Sequence, residues 1–341
     1  TAPVDGDVEP VLSVRDLGVD FYVDGQWFPA AEGVSYDVAP GHVLAIVGES
    51  GSGKSQSSMA LLGLLPANGR AHGSAKLGGR ELIGMSSGQL RRVRGKEIAV
   101  IFQEPMTALN PVYTVGFQIV ETLREHFDIG PARAKERAIE LLRLVEIPEP
   151  ERRFSSYPHQ LSGGQRQRAM IAQSLACDPR LLIADEPTTA LDVTVQAEIL
   201  KLMRDLRHRV NAGIILITHD MGVVADLADS MLVMKDGVVV ERGTSEEVFH
   251  NPQHPYTQKL LAAVPHLGSN TDGDAVLAAV DAGVDLDALA RGELLPASPG
   301  ESGGPGVAQV TEAAQDAPAP VDDRPLVLSA RDMVIEYPGR R

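Results

Sequence analysis

The chain has 341 residues, of which 23% are charged and 43% hydrophobic, and its formal net charge is −15. That length fits about two domains, and the acidity argues against general nucleic-acid binding, which needs a basic footprint. No apolar run approaches the roughly 18 residues of a membrane span, and Thr1-Ala2-Pro3-Val4-Asp5 lacks the basic and apolar regions of a signal peptide, so a spanning or secreted chain is not expected while a peripheral membrane role stays open.

Residues 9–267 read as one α/β unit in which short apolar strands alternate with amphipathic helices, the pattern of a mainly parallel sheet covered on both faces. In chain order, Val43–Val47 predicts a buried strand and Met59-Ala60-Leu61-Leu62 continues as a helix. The stretch from about 85 to 160 is more helical and lacks strong strands past Ile98–Phe102, which predicts a helical subdomain at about 86–165. Within it, Ala138, Leu141, Leu142 and Val145 fall on one face of a helix over 134–146. A helix over Arg166–Cys177 follows, and the lone Cys177, in its apolar stretch, is read as core packing; one cysteine excludes an intrachain disulfide and metal-binding cysteine pairs. Leu181–Asp185 and Gly213–Thr218 are further buried strands, with a helix over 193–209 between them. Met231–Glu241 predicts a hairpin turning at Asp236-Gly237.

From Gly268 the composition changes to Gly, Ala, Asp, Ser and Pro, and between Gly268 and Arg324 eleven acidic residues stand against two basic ones. Such a segment buries too little apolar area to offset chain entropy, so residues 268–323 are read as an acidic linker, with at most a weak helix over Ala275–Ala290. Residues 327–337 then echo residues 11–21, with five of eleven positions identical. This internal repeat predicts the start of a second copy of the unit at 324–341, in a tandem protein.

Several stretches carry chemistry. Gly48-Glu49-Ser50-Gly51-Ser52-Gly53-Lys54-Ser55 matches the phosphate-loop pattern between a strand and a helix. Its glycines allow backbone N–H groups to wrap a phosphate at the helix N-terminus; Lys54 is expected to reach the β- and γ-phosphates and Ser55 to hold Mg²⁺. The strand Leu181–Asp185 ends in Asp185 and Glu186, where ligands of parallel sheets bind; Asp185 is placed for Mg²⁺ and Glu186 for polarising the attacking water. His219 ends another core strand and is expected to bond the γ-phosphate. Gln103, just after a strand, suits contact with both Mg²⁺ and the water. Leu161-Ser162-Gly163-Gly164-Gln165 has capping-box spacing before a helix, and its hydroxyl, glycine N–H groups and helix N-terminus also form a second phosphate-binding surface. One ATP rarely needs two such cradles from one chain, so the second is expected to serve a nucleotide bound to another copy of the fold.

With these motifs in this order, the chain resembles the nucleotide-binding domain of ATP-binding cassette (ABC) transporters over about residues 9–267. The Walker A segment is 48–55, the Q-loop residue Gln103, the signature 161–165, Walker B 181–186, the D-loop Ala190-Leu191-Asp192 and the H-loop residue His219. The resemblance implies a P-loop, RecA-like α/β core, an N-terminal antiparallel β part and an inserted helical subdomain. It implies catalytic roles for Lys54, Gln103, Glu186 and His219, and nucleotide contacts from Gly48, Ser50, Gly51, Ser52, Gly53, Lys54, Ser55, Gln56 and Gln103. It also implies Mg²⁺ contacts from Ser55, Gln103 and Asp185, and head-to-tail dimers in which Ser162, Gly163, Gly164 and Gln165 close on the partner's ATP and Asp192 lies at the dimer contact. The repeat pairs Phe21 with Tyr337, which favours Phe21 as the adenine-stacking ring, with Tyr22 as its rival and core packing as the alternative for either.

The segments Tyr157–Arg168, Asp185–Gln196, Ala108-Leu109-Asn110-Pro111 and His254-Pro255-Tyr256-Thr257 resemble the oligopeptide/dipeptide/nickel importer subfamily. That implies a peptide-import ATPase, peripheral on the cytoplasmic face of a bacterial plasma membrane. Its partners would be a second ABC ATPase domain, two permease subunits and an outer substrate-binding protein, with no nucleic acid. The cysteine-rich C-terminal segment of some relatives is replaced here by a cysteine-free linker, so no iron–sulfur cluster is expected within this segment. Rival readings are a soluble ABC ATPase of translation or DNA repair and a hydrolytically silent regulatory module. The acidic charge and the importer-like segments argue against the first, and Glu186, His219 and the signature against the second.

Overall fold

The computed structural model describes residues 9–103, 108–189 and 192–262. The linker at 268–323 with its helix at 275–290, the second start at 324–341, and Ala190 and Leu191 of the D-loop lie outside the described residues.

Two sheets organise the unit. The first is antiparallel, in the order β2-β1-β4-β5, from β1 (Leu12–Val23), β2 (Gln26–Val38), β4 (Gly69–Leu77) and the short β5 (Arg80–Glu81). β1 and β2 turn at Asp24-Gly25, both left-handed with φ of 49° and 83°, the backbone of a two-residue hairpin whose twist matches its strands. The equivalent turn at Asp236-Gly237, expected from the sequence, has φ of 49° and 82°.

The second sheet has the order β10-β9-β3-β8-β7-β6. β3 (Val43–Val47), β6 (Ile98–Ile101), β7 (Leu181–Asp185), β8 (Gly213–Thr218) and β9 (Ser230–Lys235) run parallel, and β10 (Val238–Thr244) returns antiparallel at the edge. Every residue of β3 and β8 is buried, as expected of strands covered on both faces. β6 belongs to this sheet although it falls inside the range expected for the helical subdomain.

The helices cover the sheet. α1 (Lys54–Leu61) follows β3, and α2 (Ser87–Val93) precedes β6. The helical layer comprises α3 (Val115–His126), α4 (Pro131–Leu144), α5 (Pro150–Phe154) and α6 (Gly163–Ser174). α4 buries Ala138, Leu141 and Leu142, the face that its spacing predicts. α7 (Val193–Val210), α8 (Met221–Leu227), α9 (Ser245–His250) and α10 (Pro255–Ala262) follow in the chain.

One core joins the parallel sheet to the helical layer and includes Cys177, Ile119, Leu142 and Ile199. A second fills the space between the two sheets, around Leu61 and Ile46. A third sits behind β3 and β9, where Met221, Val224, Val248 and Tyr256 meet Val47 and Val233.

Candidate functional site

Strand register sets the site. Val47 pairs with Thr218, Asp185 with Ile217, and Ala184 with Ile101. The carboxyl ends of β3, β8, β7 and β6 therefore lie along one edge, where ligands of parallel sheets bind. Gly48, His219 and Glu186 are the first residues past the ends of β3, β8 and β7, and Gln103 is the second past the end of β6.

The loop after β3 needs its glycines. Gly53, at φ 90°, caps α1 in the left-handed region, and a Cβ there would stand 2.2 Å from the Ala30 carbonyl oxygen. A Cβ on Gly48 would stand 2.2 Å from the Met234 carbonyl oxygen. No side chain caps α1, so its first N–H groups, which lack intrahelical partners, remain available to an anion. Lys54 is buried at 5% exposure. Its Nζ donates to the carbonyls of Gly48 (2.8 Å) and Glu49 (2.7 Å), and at 3.4 Å to Ser52 Oγ. Burial pushes the ammonium below the usual lysine range, opposed by Glu186, Asp185 and Glu49.

Ser55 Oγ donates to Asp185 Oδ1 at 3.0 Å. Burial pushes the Asp185 carboxyl above its usual range, the Ser55 hydrogen bond opposes that, and the neighbouring Glu186 adds to it. A carboxylate held above its ordinary pKa beside a phosphate loop is suited to a cation. The donors here are a hydroxyl and a carboxylate, both hard oxygen groups of the kind Mg²⁺ takes. Among the described residues no cluster of three His, Cys, Asp or Glu side chains forms an all-protein cage.

Glu186 is the hub. Its backbone is left-handed, at φ 47°, a conformation that costs a non-glycine residue roughly 1–3 kcal/mol and concentrates at functional sites. Its N–H donates to the Ile217 carbonyl at 2.8 Å. Its Oε2 accepts from Gln103 Nε2 (2.9 Å) and Thr189 Oγ1 (3.0 Å), and its Oε1 meets His219 Nδ1 at 3.1 Å. The structure thus joins Gln103, Glu186 and His219 directly, with Gln103 bonded to Glu186 rather than to Ser55 or Asp185. Thr189 went unread in the sequence; its signal was a hydroxyl three residues past the strand-end glutamate.

The signature stands apart. Ser162 Oγ accepts the Gln165 N–H at 3.3 Å and the Ser162 N–H donates to Gln165 Oε1 at 3.2 Å, a complete capping box on α6. Ser162 is exposed, while a Cβ on Gly164 would meet Val195 of α7 at 2.7 Å. Among the described residues no hydrogen bond links 162–165 to 48–56. Asp192 caps α7, its Oδ1 accepting the Val195 N–H at 3.1 Å. Phe21 is half-buried against the second core and lies close to Gly69, whose added Cβ would meet its ring at 2.8 Å, whereas Tyr22 is exposed and packs on Trp27.

The chain as a whole is similar to known proteins. A family model described as "ABC transporter" matches residues 31–189, and one described as "Oligopeptide/dipeptide transporter, C-terminal region" matches residues 240–284. The oligopeptide transport ATP-binding protein OppD of Bacillus subtilis is 50% identical over 275 residues, covering 80% of this chain and 76% of that protein. The chain belongs to the ABC transporter family. The glutathione import ATP-binding protein GsiA of Salmonella typhimurium is 53% identical over 270 residues, which cover 77% of this chain and 43% of GsiA. A solved dimeric ATP-binding cassette in a post-hydrolysis state, bound to ADP and phosphate, superposes with a TM-score of 0.61 at 26% identity, over 69% of this chain and 98% of that one. This ABC protein therefore has the P-loop cassette fold and is an ATPase. Among the described residues no helix is long and apolar enough to cross a membrane.

Proposed function

We propose that this chain supplies ATP hydrolysis to a membrane importer of peptides. The observation that carries the catalytic part is the Glu186 carboxylate. It is held by Gln103, Thr189 and His219 on the same sheet edge as Lys54 and the Ser55–Asp185 pair. The N–H groups of the 48–56 loop and the Lys54 ammonium would grip the phosphates, with Phe21 under the base. Ser55 and Asp185 would hold Mg²⁺, with Gln103 beside them; the ion neutralises phosphate charge when bound. Glu186 would orient the water and take its proton, and His219 would hold Glu186 and the γ-phosphate in line. Positioning and charge neutralisation of this kind account for most of the barrier lowering in phosphoryl transfer.

The exposed α6 N-terminus, with Ser162 and Gly163, is read as the surface that closes on ATP held by a companion cassette. The repeat at 327–337 supports a companion in the same polypeptide. Asp192 would then sit at the seam between the two. A groove of about 260 Å³ is lined by Leu62 and Leu64 beyond α1, Phe102 after β6, Thr122 of α3 and Gln173 of α6. We place a helix of one permease subunit there, the second permease subunit docking on the companion cassette, so that Gln103, next to the groove residue Phe102 in the chain, links the helix's movement to Glu186. The peptide cargo rests on the C-terminal-region match at 240–284 and on the names of the relatives. A substrate-binding protein would deliver it from the outer side, placing this chain on the cytoplasmic face of the membrane.

The test is ATP hydrolysis by the cassette pair assembled with its permease subunits in proteoliposomes. Phosphate release stimulated by peptide-loaded binding protein is expected. Hydrolysis indifferent to peptide, with co-purification on ribosomes or DNA, would overturn the import reading.

A further inference from the structure

The His254-Pro255-Tyr256-Thr257 segment marks a resemblance in the sequence but takes no part in the chemistry derived so far. In the fold it closes back on the phosphate loop. Glu241 of β10 accepts the N–H groups of Gln253 (2.6 Å) and His254 (3.0 Å), which sets the turn into α10. His254 Nδ1 accepts the Tyr256 N–H at 3.2 Å. The Tyr256 ring enters the third core at 7% exposure, with Lys235 Nζ 5.3 Å from its centroid. Its phenolic oxygen reaches the loop and accepts the Glu49 N–H at 2.9 Å.

Glu49 is thereby held at both ends. Tyr256 takes its N–H, and its carbonyl, with that of Gly48, takes the Lys54 ammonium. A tyrosine ring locked in a core has little rotamer freedom left to lose, so the hydroxyl is a fixed acceptor. Glu49 is exposed, so water can replace that acceptor at little cost to folding. The bond therefore contributes mainly to the direction in which the Gly48 and Glu49 carbonyls point.

We propose that Tyr256 is a positioning residue of the ATP site: its hydroxyl holds the Gly48–Glu49 backbone where those carbonyls aim Lys54 at the phosphates. This rests on the reading of residues 48–56 as the phosphate-binding loop. It adds to that loop a support from the C-terminal segment, 207 positions along the chain from Glu49.

Tyr256→Phe keeps the ring in its core and removes only the acceptor. In the assembled ATPase, KM for ATP should rise about 3- to 10-fold, the range for one lost hydrogen bond, with kcat changed by less than about 2-fold. The melting temperature without nucleotide should move by less than about 2 °C, while the upward shift produced by ATP shrinks. A purely architectural tyrosine would lower the melting temperature and leave KM alone, and that result overturns the proposal. Lys54→Ala separates the two readings. If it leaves ATP affinity unchanged, the phosphate-loop reading itself fails. If it abolishes affinity while Tyr256→Phe keeps the parent KM, only the role of Tyr256 falls.

Discussion

Replacing Glu186 with glutamine tests the catalytic reading most directly, because the structure shows what the change preserves. Both carboxylate oxygens are engaged, Oε1 with His219 Nδ1 at 3.1 Å and Oε2 with Gln103 at 2.9 Å and Thr189 at 3.0 Å. A glutamine amide has the same shape. Its oxygen can accept from Gln103 and Thr189, and its NH₂ can donate to a deprotonated His219 Nδ1. The left-handed backbone at φ 47° is as accessible to glutamine as to glutamate. Hydrogen bonds and fold therefore survive, and the negative charge and proton-accepting capacity do not. A positioned general base contributes about 10²- to 10⁴-fold, or about 3–5 kcal/mol of barrier at roughly 1.4 kcal/mol per decade. Removing a carboxylate beside Asp185 also lessens repulsion of the phosphates, so ATP affinity should hold or tighten. The assays are phosphate release at saturating ATP and magnesium, equilibrium nucleotide binding, and thermal melting. Turnover within about 3-fold of the parent would refute Glu186 as the base. Affinity weakened more than about tenfold would instead show that the web around Glu186 depends on its charge.

Ser162→Arg at every signature of the assembled complex should leave ATP binding to the 48–56 loop intact and stop turnover, because Ser162 is exposed at the α6 N-terminus and touches no part of that loop. The lost cap should cost about 1 kcal/mol of stability, and normal turnover would remove the cross-cassette role. For Asp185, burial and the neighbouring Glu186 raise the folded pKa above the ordinary 3.8. The native state therefore binds the proton more tightly than the unfolded chain, and stability falls as pH rises from the unfolded pKa through the folded one, leaving the full penalty at neutral pH. Asp185→Asn should accordingly raise the melting temperature of the nucleotide-free protein at pH 7 while abolishing magnesium-dependent hydrolysis; a lower melting temperature at pH 7 would contradict the burial argument.

The elements legible in the sequence were those whose signal is local. The all-buried strands β3, β7 and β8 show as unbroken apolar runs, because burial on both faces leaves no position for a polar residue. The α6 capping box and the Asp236-Gly237 turn follow from side chains reaching three residues or fewer. The glycine-rich 48–55 loop between β3 and α1 was legible for the same reason, since one contiguous backbone turn makes it. Less legible was the extent of the helical layer, because β6 is a four-residue strand set in helical surroundings, and only its pairing with β7 assigns it to the sheet.

Residue types and their spacing by themselves marked a glycine-rich turn between a strand and a helix, an acid pair ending a buried strand and a capping box, because each is complete within a few residues. Tertiary structure decided who touches whom. It brought Gln103 to Glu186 across 83 positions and Tyr256 to Glu49 across 207. Such contacts depend on the order and register of parallel strands joined by long crossovers, and no short window of sequence contains both partners.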